Sequence, residues 1–367
     1  SHFLFNTLAR PIVVKTGKLF LNIALKINFP IKWIVKPTVY KHFCGGETIS
    51  ECDPVVKKMA QYGVESILDY SVEGKENPED IQAALEETLN TIDNAAQNEN
   101  IPFAVFKPTA FGSSKILEKA SSNEALSDQE KQGLMRFRER IQTLCERAYQ
   151  NDVPILIDAE EVGYQAIIDE VVRENMKRYN REKAIVYNTL QMYRWDRLDF
   201  LRKEVETARK EGYIFGVKFV RGAYMEKERE WATLYGYTDP IQPDKESTDR
   251  DYDAALKYSV ENIDQVAIFN GTHNEKSSLY LTELMEQHHI AKDDPRCYFS
   301  QLYGMSDHIS FNLAHHGFRV AKYLPYGPIK NVMPYLIRRA EENTAVAGQT
   351  NLELGLIKKE LKRRKSK

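Results

Sequence analysis

The stretch YLPYGPIKNVMPYLIRRAEEN, residues 323–343, begins with the pattern of a β-strand and ends with the pattern of an α-helix. The same order, an apolar run followed by helical periodicity, recurs along the chain. Strands that alternate with helices predict a parallel sheet, because parallel neighbours need crossover connections. Eight such units match a (β/α)8 barrel of the TIM type, which takes about 250 residues and more with insertions. The apolar runs span residues 64–74, 101–112, 153–162, 184–193, 214–224, 265–274, 297–305 and 318–327.

A doubly wound open sheet is the alternative fold, but no G-x-G-x-x-G motif follows any of these runs. That motif is the commonest nucleotide-binding fingerprint of such sheets, so the barrel is preferred. We expect residues 59–345 to form the barrel, residues 1–58 an N-terminal helical arm and residues 346–367 a basic C-terminal tail. Two connections, residues 113–150 and 225–247, exceed the usual unit length. The second follows the fifth strand on the active-site side of a barrel, where it would cover a ligand.

The composition is typical of a soluble globular protein: 42% hydrophobic residues, 28% charged residues and a formal net charge of -2. There is no zinc-finger spacing, no RNP-like aromatic motif and no long basic stripe in the body of the chain, which argues against nucleic acid as a partner. The 4 cysteines form no C-x-x-C pair. This indicates a reducing compartment without a disulfide framework. With no bilayer-length apolar run and no signal-peptide pattern, we expect a cytoplasmic protein.

Positive charge is concentrated at the two ends. No acidic residue precedes Glu47, and lysines are spaced through the apolar run IVVKTGKLFLNIALKINFPIKWIV, residues 12–35. The tail IKKELKRRKSK, residues 357–367, is basic as well. Such an arm either packs on the main domain as a helical extension or contacts an anionic membrane surface, here the inner face of the cytoplasmic membrane. The two interpretations are compatible.

Polar residues end most of the apolar runs, at the edge where barrel enzymes place their chemistry. Any one of them could be a structural ion pair, but burying all of them without a ligand would cost about 1 to 3 kcal/mol for each unsatisfied group. The pattern therefore predicts a polar ligand. These residues are Asp69, Lys107, Asp158, Gln191, Lys218, Thr272, His273, Asn274 and Tyr323.

The residue types at these ends narrow the chemistry. No H-x-x-x-H spacing is present and Asn follows His273, so no metal site is predicted. The triplet RGA at residues 221–223 places a cation beside permissive backbone, which suits a phosphate or a flavin. Lys107 and Lys218 also permit a Schiff-base lyase or aldolase, and a noncatalytic metabolite-binding barrel is a third class. These alternatives remain open at this point.

The helix predicted at the end of the opening stretch carries an unusual set of polar residues. Tyr335, Arg338, Arg339 and Glu342 follow the i, i+3, i+4, i+7 rule, so one face holds a phenol, two cations and a carboxylate. Such a face either binds an anion or is a solvated charged surface.

The segments IDAEE, VKFVRGAYMEKERE, GTHN, YLPYG and YLIRRAEEN, taken together, resemble the proline dehydrogenase family. The resemblance runs over most of the chain and is nearest to the monofunctional bacterial type, because no aldehyde dehydrogenase domain follows. It implies a distorted (β/α)8 barrel that binds FAD noncovalently at the carboxyl ends of the strands. It also implies oxidation of L-proline to Δ1-pyrroline-5-carboxylate, the first step of proline catabolism. In the family, a hydride moves from proline C5 to flavin N5 and the electrons pass to membrane quinone.

The resemblance also assigns roles to individual residues. Asp158 and Lys218 match the family's catalytic positions. Tyr323 implies proline as the substrate, since hydroxyproline-oxidising relatives carry a smaller polar residue there. The arginine pair would hold the substrate carboxylate, with Lys107 as a third cation, Glu342 holding the arginine rotamers, and Tyr323, Tyr335 and Leu302 enclosing the ring. The implied substrate-binding residues are Lys107, Leu302, Tyr323, Tyr335, Arg338, Arg339 and Glu342. The implied FAD-binding residues are Ala159, Gln191, Lys218, Val220, Arg221, Gly222, Ala223, Thr272 and His273.

Overall fold

The computed structural model describes residues 36–71 and 77–345, together with Arg363. Of residues 37, 38 and 340–345 it describes the backbone alone. Most of the predicted N-terminal arm and of the predicted basic tail therefore lies outside the described residues, and with it the predicted contact of these ends with a membrane. Within the described ranges, none of the helices combines the length and the apolar character needed to cross a bilayer.

Eight parallel strands form the centre of the molecule, in the order β1-β8-β7-β6-β5-β4-β3-β2. From β2 to β8 each strand pairs with the next along the chain, and β1 pairs with β8, as in a barrel. Between β1 and β2 the described residues show no ladder, only the Ser66 N–H donating to the Asn100 carbonyl at 2.9 Å. The barrel is therefore nearly closed, with one loose seam. The strands are β1 Glu65–Tyr70, β2 Ala104–Phe106, β3 Ile155–Ile157, β4 Val186–Gln191, β5 Phe215–Val220, β6 Val266–Gly271, β7 Cys297–Leu302 and β8 Val320–Tyr326.

Helices connect successive strands on the outside of the barrel, as the sequence predicts. The two long connections hold extra helices, namely α3 and α4 after β2 and α7 after β5. Helix α4 begins at a capping box, in which Ser127 and Glu130 bond reciprocally to each other's backbone N–H groups. The helices are α1 Ile49–Ala60, α2 Pro78–Ala96, α3 Ser114–Ser121, α4 Asp128–Gln150, α5 Val162–Tyr179, α6 Arg197–Glu211, α7 Met225–Tyr235, α8 Lys245–Glu261, α9 Glu275–Gln287, α10 Asp307–His315 and α11 Ile329–Ala345.

The lower part of the barrel interior is filled by four rings, which we call the aromatic floor: Phe103, Tyr187, Phe269 and Tyr298. Phe103 meets the other three edge to face, at centroid distances of 5.6 Å to Tyr187, 5.1 Å to Phe269 and 4.8 Å to Tyr298. Aromatic pairs favour this geometry because the positive edge of one ring faces the negative face of the next. The four rings thus form a buried apolar cluster inside the barrel.

The chain before the barrel anchors the last helix. Tyr40 and Phe43, from the helical turns Lys36–Tyr40 and Lys41–Phe43, form a buried cluster with Met333 and Leu336 of α11. The Tyr40 hydroxyl donates to the carbonyl of Gly327, just after β8, at 2.9 Å. These contacts fix α11 at the carboxyl end of the barrel, where the sequence predicts the ligand.

Candidate active site

Five side chains meet at the open end of the barrel, and we call them the mouth cluster: Asp69, Lys107, Asp158, Lys218 and Tyr323. Asp158 is at the centre, because its Oδ1 accepts a hydrogen bond from Lys218 Nζ at 2.7 Å and its Oδ2 accepts one from the Tyr323 hydroxyl at 2.6 Å. Lys107 Nζ lies 3.5 Å from Asp158 Oδ2 and 3.4 Å from Asp69 Oδ2. The structure thus brings together five of the polar residues that the sequence places at strand ends.

The mouth cluster keeps Asp158 ionised. Burial alone would raise the pKa of this carboxyl, but the Lys218 and Lys107 charges and the hydrogen bonds from Lys218 and Tyr323 lower it below its ordinary value. The pKa of the Tyr323 hydroxyl shifts upward instead, because burial and the neighbouring Asp158 carboxylate both raise it. The hydroxyl therefore stays protonated and donates to Asp158.

Most of the residues with predicted substrate contacts come from β7, β8 and α11. Leu302 ends β7 and Tyr323 lies in β8, Tyr335 of α11 belongs to the buried cluster on which Leu302 packs, and the Arg339 charge acts on His273. Tyr335 and Arg339 are buried, and the Arg339 guanidinium lies 5.4 Å from the centre of the Tyr335 ring. Arg338 is half-buried in the same turn. Glu342 belongs to α11, but its side chain lies outside the described residues.

The residues with predicted FAD contacts follow the ends of β3, β4, β5 and β6 in an unbroken arc. Gly222 is the tightest point of this arc, with a φ of 134°. A Cβ at Gly222 would lie 2.2 Å from the Tyr193 ring, so only glycine fits there. The Ala223 N–H donates to Gln191 Oε1 at 3.3 Å, which ties the loop after β5 to the end of β4. Gly222 and Ala223 are exposed on the mouth side, where backbone can approach a ligand closely.

The Arg221 side chain is engaged within the protein. Its guanidinium donates to Asp249 at 2.8 Å, to the Thr272 hydroxyl at 2.6 Å and to the Ser277 hydroxyl at 3.1 Å. It also stacks on the Tyr252 ring at 4.4 Å. Arg221 therefore holds the loop after β5 against the residues that follow β6, and its predicted contact with FAD stays a prediction.

His273 is held as a neutral ring at the end of the arc. Burial is the main cause that lowers the pKa of His273 to about 3, and the nearby Lys322 and Arg339 charges act in the same direction. Its Nδ1 lies 2.9 Å from the Ser306 hydroxyl. Exposed small-residue backbone at Gly222 and Ala223, beside a neutral imidazole and buried donors, fits a flavin better than it fits a metal. No three His, Cys, Asp or Glu side chains in the described ranges are grouped as metal ligands.

Comparison with known sequences identifies the family. The family model for proline dehydrogenase matches residues 52–352. The chain belongs to the proline dehydrogenase family. The resemblance inferred from its motifs is confirmed, and the chain is an enzyme of this family.

Three full-length relatives show how widely proteins of this family differ. The chain is 37% identical over 322 residues to the carbapenem antibiotics biosynthesis protein CarD of Pectobacterium carotovorum subsp. carotovorum, with 88% of this chain and 83% of that protein covered. It is 32% identical to mitochondrial proline dehydrogenase 1 of Dictyostelium discoideum, covering 94% of this chain and 68% of that protein. It is 31% identical to hydroxyproline dehydrogenase of Xenopus laevis, covering 98% of this chain and 85% of that protein. Family membership thus leaves the choice between proline and hydroxyproline to the site.

Solved structures confirm the fold. Proline utilization A (PutA) from Bdellovibrio bacteriovorus superimposes with a TM-score of 0.75 at 24% identity, covering 83% of this chain. PutA from Bradyrhizobium japonicum superimposes with a TM-score of 0.71 at 18% identity, covering 86% of this chain. The chain spans about a third of the length of each of these proteins. The predicted distorted (β/α)8 barrel is therefore confirmed.

Two buried residues near the family's motifs were missed from the sequence. Glu160, two residues after Asp158, accepts hydrogen bonds from the Thr109 N–H at 2.8 Å and the Thr109 hydroxyl at 2.6 Å. Burial raises the pKa of Glu160 to about 7. The second residue is Lys322, a lysine inside the apolar run of β8 that is 1% exposed. Its position in a strand-like run was the available signal, because lysine is almost never fully buried unless it is paired.

One strand-end residue does not belong to the mouth. Asn274 caps helix α9, with its Oδ1 accepting from the N–H groups of Lys276 at 2.9 Å and Ser277 at 3.3 Å. Asparagine is a favoured N-cap because its side chain satisfies backbone N–H groups that have no partner inside the helix. Asn274 is thus a structural residue next to Thr272 and His273, whose contacts with FAD are predicted.

Proposed function

We propose that this protein oxidises L-proline to Δ1-pyrroline-5-carboxylate with bound FAD and passes the electrons to a quinone. The observation that carries the proposal is the arrangement at the barrel mouth. The arc of residues with predicted flavin contacts, from Ala159 to His273, and the group with predicted substrate contacts adjoin at the mouth cluster, below the cation of Arg339. A small cyclic amino acid held there has its ring beside the flavin arc.

Proline's carboxylate binds to the arginine pair of α11. Arg339 is buried over the mouth, and a guanidinium matches a carboxylate through two parallel hydrogen bonds. Arg338 contributes the second guanidinium and Lys107 a third cation. These cations hold proline in the orientation that hydride transfer within the bound complex requires.

The pyrrolidine ring packs against Tyr323, Tyr335 and Leu302. The Tyr323 hydroxyl already donates to Asp158 at 2.6 Å, so the phenol is fixed in place and fills the space that a 4-hydroxyl group on the substrate would need. This supports proline rather than hydroxyproline as the substrate, although a relative in the family is named for hydroxyproline.

Asp158 and Lys218 act together beside the reacting atoms. FAD, when bound by the arc from Ala159 to His273, supplies the acceptor at N5 for the hydride from proline C5. Lys218 presents a cation to this region and Asp158 holds it there at 2.7 Å. Because its pKa lies below the ordinary value, Asp158 is a weak base, and we assign it the role of orienting Lys218 and Tyr323 rather than of taking the amine proton.

The same contacts argue against a Schiff-base lyase. A lysine must be an uncharged amine to attack a carbonyl. Lys218 is paired with Asp158 at 2.7 Å, and Lys107 lies within 3.5 Å of both Asp69 and Asp158. Each amine is thus already engaged in an ion pair with carboxylate oxygens. Borohydride in the presence of a carbonyl substrate should therefore trap nothing on either lysine.

Replacement of Arg339 by methionine tests the proposed carboxylate site. A charge-assisted hydrogen bond contributes about 1.5 to 3 kcal/mol, so in Arg339→Met the KM for L-proline should rise roughly ten- to hundredfold. The KM is obtained from the steady-state rates at which the enzyme reduces an artificial acceptor and a soluble quinone at increasing L-proline concentration. Arg173→Met is the matched control, because Arg173 pairs with Glu204 between α5 and α6 at 2.7 Å. Equal KM values in the two variants would contradict the assignment.

A further inference from the structure

Lys322 carries a buried charge directly behind the substrate site. It precedes Tyr323 in β8, and successive side chains of a strand point to opposite faces. Tyr323 faces the barrel interior, so Lys322 faces the surrounding layer, where only 1% of it is exposed. A buried ammonium is costly unless it is paired and hydrogen-bonded. The partners of Lys322 therefore indicate why the lysine is there.

Three acceptors of Lys322 belong to one turn, residues 302–307, which connects β7 to α10. Lys322 Nζ donates to the carbonyl of Met305 and to the carbonyl of Leu302 at 3.3 Å. It also lies 3.0 Å from Asp307 Oδ1, at the start of α10. One ammonium thus joins the beginning, the middle and the end of the turn.

The turn has a backbone that needs such support. Gly304 has a φ of 78°, and a Cβ there would lie 2.3 Å from the carbonyl oxygen of His42. Ser306 has a φ of 50°, a left-handed conformation that residues other than glycine rarely adopt. Conformations of this kind persist only where the surroundings over-determine them. The Lys322 ammonium is a buried contact that supplies this constraint.

The same turn carries two contacts of the proposed site. It begins at Leu302, which forms part of the proposed wall around the substrate ring. It ends near Ser306, whose hydroxyl lies 2.9 Å from His273 Nδ1. A shift of the turn would therefore move the ring wall and release the imidazole.

We propose that Lys322 is a positioning residue that fixes the turn of residues 302–307 and so sets the shape of the substrate-ring pocket and the orientation of His273. This role rests on the proposed function, because it assumes that Leu302 contacts the ring of a cyclic amino acid. Lys322 itself touches no substrate; it acts from behind the sheet through Leu302 and Ser306. Its loss should weaken recognition of the ring more than recognition of the carboxylate.

Titration with two anions separates recognition of the ring from recognition of the carboxylate. Each anion is added to the FAD-loaded enzyme, and its binding is followed by the change in flavin absorbance. Tetrahydro-2-furoate, a proline analogue with oxygen in place of the amine, probes ring and carboxylate together, whereas acetate probes the carboxylate alone. In Lys322→Met we expect the dissociation constant for tetrahydro-2-furoate to rise about tenfold and that for acetate to change less than twofold. Asp307→Asn, at an exposed position, should give a smaller ring-specific loss, and Arg173→Met should give none.

The possible results have distinct meanings. Equal changes for the two anions, or no change, in a folded Lys322→Met protein would overturn the role of Lys322. If Lys322→Met does not fold, the absence of a ring-specific loss in Asp307→Asn would overturn it instead. A wild-type enzyme that binds neither anion and leaves the flavin oxidised with L-proline would refute the proposed function itself, independently of any variant.

Discussion

Phe103 and Lys107 lie four residues apart around one short strand, and they show the contrast between the two ends of the barrel. Phe103 is buried in the aromatic floor, in edge-to-face contact with three rings. Lys107 lies in the mouth cluster, between Asp69 and Asp158. Both side chains come from the same inward-facing side of β2, yet one end of the interior is apolar and the other is built from charges.

The two ends therefore serve different purposes. An apolar floor gains stability directly from burial and packing. Buried ion pairs gain little, because the cost of desolvating each charge offsets most of the attraction. A cluster of two lysines and two aspartates is thus a poor way to stabilise a barrel and a good way to orient polar groups toward a ligand. The contrast predicts that changes at the floor act on stability and changes at the mouth act on chemistry.

The largest expected effect is at the floor. Phe103→Ala removes a ring that is 2% exposed and leaves a cavity among three others. The free energy of unfolding should fall by about 3 to 5 kcal/mol, as measured by denaturant titration. The KM for L-proline of the remaining folded enzyme should stay within about threefold of wild type. An unchanged unfolding free energy, or a KM shift as large as that of Arg339→Met, would remove the distinction between floor and mouth.

Glu160, a buried carboxyl two residues after Asp158, sharpens the comparison because its effect on stability depends on pH. Burial raises its pKa from 4.5 to about 7, so the folded state binds this proton more tightly than the unfolded state. The stability contributed by the proton is present below pH 4.5 and is lost as the pH rises to about 7. The loss should amount to about 2 to 3 kcal/mol.

The Glu160→Gln variant isolates this contribution. Glutamine keeps an acceptor for the Thr109 N–H and a donor for the Thr109 hydroxyl but does not titrate. The difference in unfolding free energy between wild type and variant, measured from pH 4 to pH 8, should move in favour of the variant as the pH rises. A pH-independent difference would show that Glu160 ionises normally in the folded protein.

A smaller effect, confined to substrate choice, is expected at Tyr323. Tyr323→Ser opens space beside the substrate ring and removes the hydrogen bond to Asp158. The kcat/KM for L-proline should fall by the equivalent of about 1 to 3 kcal/mol, and the ratio of hydroxyproline to proline turnover should rise. Tyr323→Phe, which keeps the ring, is the control for the lost hydroxyl. If Tyr323→Ser leaves kcat/KM unchanged for both proline and hydroxyproline, Tyr323 does not contact the substrate ring as proposed.

The fold could be predicted from the sequence because it depends on periodicity. Eight apolar runs separated by helical patterns leave few arrangements other than a parallel barrel. The gathering of Lys107, Asp158 and Lys218 was also predictable, since the carboxyl ends of barrel strands all face the same opening. Both predictions use the direction of the strands and need no knowledge of side-chain partners.

Predictions that depended on the hydrogen-bond partners of a side chain were less complete. Lys322 was missed because a lysine in an apolar run can reach solvent, and the sequence does not show that the turn after β7 supplies acceptors for it. The sequence placed Arg221 beside a ligand but did not show that Asp249 and Ser277, from two other helices, engage its guanidinium. Asn274 was grouped with the strand ends, although it opens the next helix as its cap. For Lys322 and Arg221 the deciding contacts are tertiary, whereas for Asn274 the deciding contact is the local helix cap.

The central claim is that the mouth binds L-proline next to a flavin, and an anaerobic titration tests it most directly. L-proline is added without oxygen to the FAD-loaded protein while the flavin absorbance is recorded. We predict that the absorbance bleaches and that Δ1-pyrroline-5-carboxylate forms in proportion. A yellow protein whose absorbance is unchanged by L-proline, although it remains folded and keeps its flavin, would contradict the account.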